Sequence, residues 1–318
     1  MTVATVLVLY AACVGTLGSR MLGRATWPGR APLLAIVTYL AAAWSVAAAL
    51  GLAGLTLAIH ATALAGGLSS LIGACVLRLR DAYATPGGAI VAGLGLTLTG
   101  AVVARTAVAA ITHLRAVRRH ALQHAEAARL VGHREPALGA VLVDHAQPAA
   151  YCVAGPQPTV VVTTGALQAL DPGQLDAVLA HERAHLAYRH HRLLAIARIA
   201  SQVLPFIPLT RDAATQVERL IEMHADDAAT GARDGEVLAT ALVALASPAS
   251  PASPVPGLAA AGTDAVQRIH RLLGPAEPLG RVRRQLLRAG AGALALTPVL
   301  LALTPAVVAL ALGRIPAT

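Results

Sequence analysis

Asp171-Pro172-Gly173-Gln174-Leu175-Asp176-Ala177-Val178-Leu179-Ala180-His181-Glu182-Arg183-Ala184-His185 is the stretch on which the reading of this chain turns. Asp171 and Pro172 form an N-cap and first-turn pair, and Gln174 stands at the capping-box position, so a helix is predicted to open here. Its apolar positions Leu175, Val178, Leu179 and Leu186 follow the helical period. Residues four apart on a helix lie one above the other, so His181 and His185 can aim both imidazoles at one cation. Glu182, beside the first histidine, can reach a water on that cation and accept its proton.

A catalytic zinc takes three protein ligands and keeps a fourth position open, so a further ligand is needed. His191 stands six residues after His185, but that spacing asks for a glycine at position 188, and the residue there is Tyr188. Glu222 is the preferred candidate. It belongs to Glu222-Met223-His224-Ala225-Asp226, on a second helix predicted from about Asp212 to Thr230 and closed by Gly231. Asp226, one turn on, can accept a hydrogen bond from a ligand histidine and fix its tautomer. Glu218 is a weaker candidate, because its partner one turn on is Glu222. His190, His191 and Arg192 read as a solvated helix end. His224 points about 200° around the helix from Glu222 and reads as packing behind the ligands.

Upstream lie short β-like runs at Ala140 to Val143, Ala150 to Val153 and Thr159 to Thr164. Gly155 and Pro156 make the last two a hairpin, and a small antiparallel sheet is expected. A polar helix, roughly Arg115 to Leu130, precedes them. Downstream, Ser247 to Thr263 is rich in Ser, Pro and Ala and is expected to be a flexible loop.

Beyond this segment the chain turns apolar. Of its 318 residues 56% are hydrophobic but only 3% aromatic, and the mean hydropathy is +0.64. That excess of Ala, Leu and Val suits helices in lipid. Four segments are long enough to cross a bilayer: Thr2 to Leu17, Leu33 to Ile59, Ala89 to Leu114, and Ala289 to Leu312. Arg105 is placed to snorkel, and Pro298 and Pro305 are tolerated kinks. The run Ala61 to Leu77 reads as a helix lying against the outer face. The run Leu193 to Leu209 cannot be a span, because crossing would separate His185 from Glu222. It reads as a buried or surface-embedded helix.

All 25 basic residues are Arg. Between Arg115 and Arg288 there are 18 arginines against 15 acidic residues, and outside that stretch 7 against one. The excess therefore sits at the edges of apolar segments, where it orients spans rather than gripping nucleic acid. The positive-inside rule puts 115–288 in the cytoplasm and both termini outside a multi-pass cell-membrane protein. Cys13, Cys75 and Cys152 form no CxxC pair, so neither a disulfide framework nor a thiolate zinc site is indicated. The domain reading is a three-helix membrane region over 1–114, a zinc-binding domain over 115–288, and a fourth span with a short tail over 289–318.

HExxH followed by ExxAD resembles the M48 and M56 gluzincin peptidases. Those families include the CAAX-prenyl-type proteases and the membrane antirepressor proteases of beta-lactam signalling. Three spans, a cytoplasmic peptidase domain and a fourth span is the order of the latter. The resemblance implies a mainly α membrane protein with an α+β zincin-like peptidase domain, acting on a protein or peptide substrate at the cytoplasmic face. It further implies that His181, His185 and Glu222 bind Zn2+, with Glu182 as general base. Ala149-Ala150-Tyr151 through Thr164 is similar to the family's substrate-binding edge strand. Gln267-Arg268-Ile269 through Leu272 is like a late Arg-Ile motif of M48, which would make Arg268 a stabiliser of developing negative charge. No penicillin-binding sensor domain is expected after the fourth span, so a separate sensor or repressor protein is the implied partner. The competing expectation is a non-catalytic membrane scaffold that retains the fold, against which the intact Glu182 argues.

Overall fold

The computed structural model describes residues 2–58, 88–155, 157–231, 235–246, 258–274 and 278–311. Helix α1 (Thr2–Cys13) passes through a π-helical stretch, Val14–Gly18, into α2 (Ser19–Arg24). A 3-10 turn at Trp27–Arg30 leads to α3 (Pro32–Ala58), and α4 (Gly88–Val131) is a single rod of 44 residues. Strands β1 (Gly132–Glu135), β2 (Ala140–Val143), β3 (Ala150–Val153) and β4 (Thr159–Thr163) follow. Seven helices complete the described chain: α5 (Thr164–Ala169), α6 (Pro172–Ala187), α7 (His190–Val203), α8 (Pro208–Thr230), α9 (Gly235–Ala246), α10 (Leu258–Leu273) and α11 (Arg281–Ala311).

Among the described residues four helical stretches are long and apolar enough to cross a membrane: Val3–Arg24, Pro32–Ala58, Ile90–Val117 and Arg281–Pro305. They coincide with the four expected segments, with two differences. The first continues through the π-helical stretch to Arg24 rather than stopping near residue 17. The fourth starts at Arg281, so its arginines form its opening turns instead of a flank. The expected outer-face helix at 61–77 lies outside the described residues.

Helix α3 is the axis of this bundle and packs against α1, α4 and α11. Hydrocarbon gives apolar helices little reason to associate, so close backbone approach through small residues has to supply the contact. Gly54 and Gly95 provide it: a Cβ on Gly54 would sit 2.5 Å from the Gly95 carbonyl, and one on Gly95 would sit 2.5 Å from that of Gly54. Thr99 Oγ1 donates across the same crossing to the Gly51 carbonyl at 2.9 Å.

The apolar run 193–209 is divided between α7 and the first turn of α8, joined by a corner at Leu204–Ile207. This corner is keyed into the bundle. Leu209, Val217 and Leu220 share one buried cluster with Tyr39, Ala43 and Val46 of α3. Ile207 fills the space that Gly15 leaves in the π-helical stretch, and Ser19 Oγ donates to Asp212 Oδ2. Arg105 donates to the last carbonyls of α7, Val203 O at 2.9 Å and Gln202 O at 2.7 Å, rather than reaching for headgroups. A helix end leaves such carbonyls unpaired and carries a partial negative charge, so it offers an apolar-segment arginine a nearer partner.

The three expected strands and their hairpin form, and β1 joins them. The sheet is mixed, not antiparallel. Its order is β1-β2-β4-β3, with β2 parallel to β4 in the register Val141↔Val161. The reason is that the β3–β4 hairpin folds back with β4 inward, which leaves β3 at the edge. The expected loop at 247–263 is shortened from its C-terminal side, because α10 starts at Leu258; residues 247–257 are outside the described set.

Gly54→Val should lower the thermal midpoint of the detergent-purified protein by several degrees. Gly100→Val, on the partner helix α4 but facing open space, should leave it unchanged. Equal midpoints for the two variants would remove the crossing from its structural role.

Candidate metal centre

The helix bearing HExxH is started by its own sequence. Asp171 Oδ1 accepts from the Gln174 amide at 2.8 Å, and Gln174 Oε1 accepts from the Asp171 amide at 3.1 Å. Arg183, on the outer side, donates to Leu138 O at 2.7 Å and ties the β1–β2 turn to α6. Helix α6 ends at Ala187, and Arg189 takes a left-handed conformation, φ 52°, that turns the chain into α7. Such a conformation costs a non-glycine residue about 1–2 kcal/mol. What the turn achieves is to fold His190 back against His185.

Three ligand-type atoms converge between α6 and α8. His181 Nε2 and His185 Nε2 are 3.1 Å apart, and each lies 3.5 Å from a Glu222 carboxylate oxygen. Four-coordinate zinc with bonds of about 2.0–2.1 Å sets its ligand atoms about 3.3 Å apart, so this spacing fits such an ion. His181, His185 and Glu222 are a group able to hold a metal ion.

Each imidazole is fixed from behind. His181 Nδ1 lies 3.1 Å from Asp226 Oδ1, which leaves Nε2 to face the centre. His185 Nδ1 lies 3.1 Å from His190 Nδ1, and His190 Nε2 lies 2.9 Å from His224 Nδ1. If His185 keeps its Nε2 lone pair for a cation, its Nδ1 proton goes to His190. His190 must then donate onward from Nε2 to His224. One consistent set of neutral tautomers therefore runs through all three rings. Burial, reinforced by the neighbouring histidines, pushes His190 down to about 3, which keeps it neutral as the chain requires. Tyr188 covers it, stacked on His190 and edge-on to His224.

Charge around the centre is dense. Asp226 is fully buried, and Arg268 of α10 grips it with two bonds, Nε to Oδ2 at 2.9 Å and Nη2 to Oδ1 at 2.7 Å. Arg268 Nη1 also lies 3.0 Å from Glu222 Oε2. Burial alone would raise the Glu222 carboxyl, but His181 and Arg268 outweigh it and hold Glu222 below the usual range. Burial opposes charge on His181 too, yet Asp226 and Glu222 raise it to about 9. His185 goes the other way: burial pushes its imidazole down, and the His181 and Arg268 charges add to that against Glu222. Glu182 differs. Burial raises its carboxyl, His181 opposes that, and Glu222 adds to it, the direction a general base near neutral pH requires.

All the expected site residues lie in one place: His181, His185 and Glu222 around the centre, Glu182 beside it, Asp226 behind His181, and Arg268 against both carboxylates. His191 does not join the ligand group but lines the cleft beside it. Glu218 pairs with Arg198 at 3.2 Å. Two residues carry more than their sequence suggested. His190 is buried and supports a ligand instead of ending a helix in solvent, because the turn at Arg189 is invisible to periodicity. Cys152 of β3 lies beside Glu182, and burial followed by the Glu182 charge pushes the thiol up to about 12. Among the described residues Cys13 and Cys152 are free thiols.

Residues 114–245 match the model of Peptidase family M48. That stretch contains every residue of the centre except Arg268, and it supports a metallopeptidase function for the segment. No curated protein and no solved structure matches the chain. The four helices long and apolar enough to cross a membrane support a membrane protein beside that segment.

His190→Ala should weaken zinc binding 10–100-fold, the usual cost of removing a ligand's supporting partner, as read by chelator competition. His191→Ala should leave it unchanged. A His190→Ala protein with wild-type affinity would show that the histidine chain does not orient His185.

Proposed function

We propose that this protein is a membrane-bound zinc metalloendopeptidase that hydrolyses peptide bonds of a protein substrate at the cytoplasmic face. The observation that carries this is the convergence of His181 Nε2, His185 Nε2 and a Glu222 oxygen at zinc-ligand spacing, with the raised carboxyl of Glu182 alongside. Zinc, when bound by these three residues, would supply Lewis acidity toward the scissile carbonyl and lower the pKa of the attacking water.

The chain's own residues do the rest. Glu182, its carboxyl raised, takes the proton of the attacking water and later passes it to the leaving amine. Asp226 and the His190–His224 pair hold the ligand rings in the required tautomers. Arg268 neutralises Asp226 and Glu222, and its Nη1 stands at the edge of the centre where negative charge would develop on the substrate. A cleft of 210 Å³ opens beside the centre between Cys152 and Ala154 on one side and Leu194 and Ile221 on the other. An extended peptide can lie there as an added strand, since β3 is the edge of the sheet and an edge strand offers its backbone to a partner. Leu194 and Ile221 favour an apolar side chain in the cleft.

The finer identity follows the resemblance. Three apolar helices, the peptidase segment and a fourth helix are arranged like the M56 antirepressor proteases of beta-lactam signalling, so a transcriptional repressor is the first substrate class to test. The arginines at 115, 118, 119, 281, 283, 284 and 288 support a cytoplasmic peptidase face.

Glu182→Ala should retain stoichiometric zinc and lose about 10²–10⁴-fold in cleavage rate. Cytoplasmic proteins that accumulate only in a Glu182→Ala strain would include the substrate. Unchanged turnover by this variant would sink the peptidase assignment.

A further inference from the structure

A second cavity, of 420 Å³, lies away from the cleft, where two of the apolar helices begin. Its volume is within the roughly 300–1,000 Å³ range of small-molecule sites. Arg30, Arg284 and Arg288 form its polar rim. Leu33, Leu34 and Val37, in the opening turns of α3, form its apolar floor. His224 and Asp227 of α8 close it on the peptidase side.

The described lining of this cavity is rich in basic residues. Both α3 and α11 direct their positive N-terminal ends toward this spot, and neither has an acidic residue in its first turn. Basic residues at such an end work against the helix dipole, so Arg284 and Arg288 add to a field that is already positive. Among the described lining residues Asp227 is the one carboxylate, and it is engaged by Arg271 Nη2. The floor is equally telling. Leu33 and Val37 are 41% and 45% exposed on a helix whose other face is the centre of the bundle. An anion alone has no use for that floor, and an apolar group alone has no use for the rim.

We infer that this cavity is a binding site for an anionic phospholipid, with the headgroup phosphate between Arg284 and Arg288 and the first acyl carbons along Leu33 and Val37. The position agrees with the chemistry, since Pro32 and Arg281 open two membrane-crossing stretches and so mark the level of the headgroups. Arginine is suited to this role because its planar fork matches phosphate oxygens. The inner wall of the site is His224, the far end of the hydrogen-bond chain from His185, so a bound headgroup lies directly behind the support of the metal centre. The inference does not depend on peptidase activity.

Native mass spectrometry of the full chain, released from nanodiscs of mixed phosphatidylglycerol and phosphatidylcholine, tests it. The wild type should retain phosphatidylglycerol selectively. Arg284→Gln/Arg288→Gln should weaken that retention roughly 30-fold, from the loss of two basic residues at a membrane surface. Arg281→Gln/Arg283→Gln removes the same charge from the same helix outside the cavity and should change retention little. Leu33→Glu, from the opposite wall, should weaken it as well, which covers the case of a double arginine variant that fails to fold. Equal losses in the two double variants would mean a diffuse basic surface, and equal retention of phosphatidylcholine would mean no selection for charge. Displacement of the lipid by inorganic phosphate in detergent would mean a free-anion site. Any of these three results overturns the inference.

Discussion

A carboxylate with no access to water must be paired, because an isolated buried charge costs several kcal/mol. Asp226 is that carboxylate, and much of the peptidase segment is organised by satisfying it. It sits on α8, takes two bonds from Arg268 of α10, and faces the Nδ1 of His181 on α6. Three helices distant in sequence are thereby fixed around one charge. Arg271 repeats the arrangement one turn along α10, gripping Asp227 and the Gly29 carbonyl. Without these pairings α10 would have little reason to lie across the centre, and Glu222 would lose the cation that holds it toward the two imidazoles.

The same helix, α8, joins the centre to the apolar bundle. Its first half contributes Leu209, Val217 and Leu220 to the cluster around α3, while its second half carries Glu222 and Asp226. The carboxylate of the candidate metal centre is thus one rigid rod away from the helices suited to a membrane. Its N-terminal corner is held by Ile207 against Gly15 and by Asp212 with Ser19, and α7 is held by Arg105. A rod anchored at both ends gives the ligand set the precision that a loop would not. The support of His185 is different in kind. It depends on a neutral relay through His190 and His224, whose burial excludes protons that would break the tautomer order.

Much of this was legible in the sequence, for reasons that are local. The capping box at Asp171 and Gln174, the i, i+4 histidines, the strand runs at 140–143 and 150–153, and the apolar lengths all follow from neighbouring residues. The pairing of Glu222 with the histidine helix was also within reach, because the ligand count demanded a third ligand and Asp226 stood one turn on. The register of the sheet was not. Strand runs carry their own period but not their neighbours, so nothing local told that β4 would lie parallel to β2 and push β3 to the edge. His190 was unreadable for a similar reason. Its role is set by a left-handed turn at Arg189, a residue whose type gives no hint of that conformation.

By itself, then, the sequence determined which helices form, which of them suit lipid, and which side chains can share a cation, since these depend on spacing along one segment. Only the tertiary structure decided which ligand each supporting group stands behind. The Asp226–Arg268 pair, the histidine chain, Cys152 against Glu182, and the arginine-rimmed cavity between α3 and α11 each join residues far apart in the chain. Their contacts exist because burying charge and apolar surface together leaves few arrangements that satisfy both, and that selection acts on the whole fold rather than on any one segment.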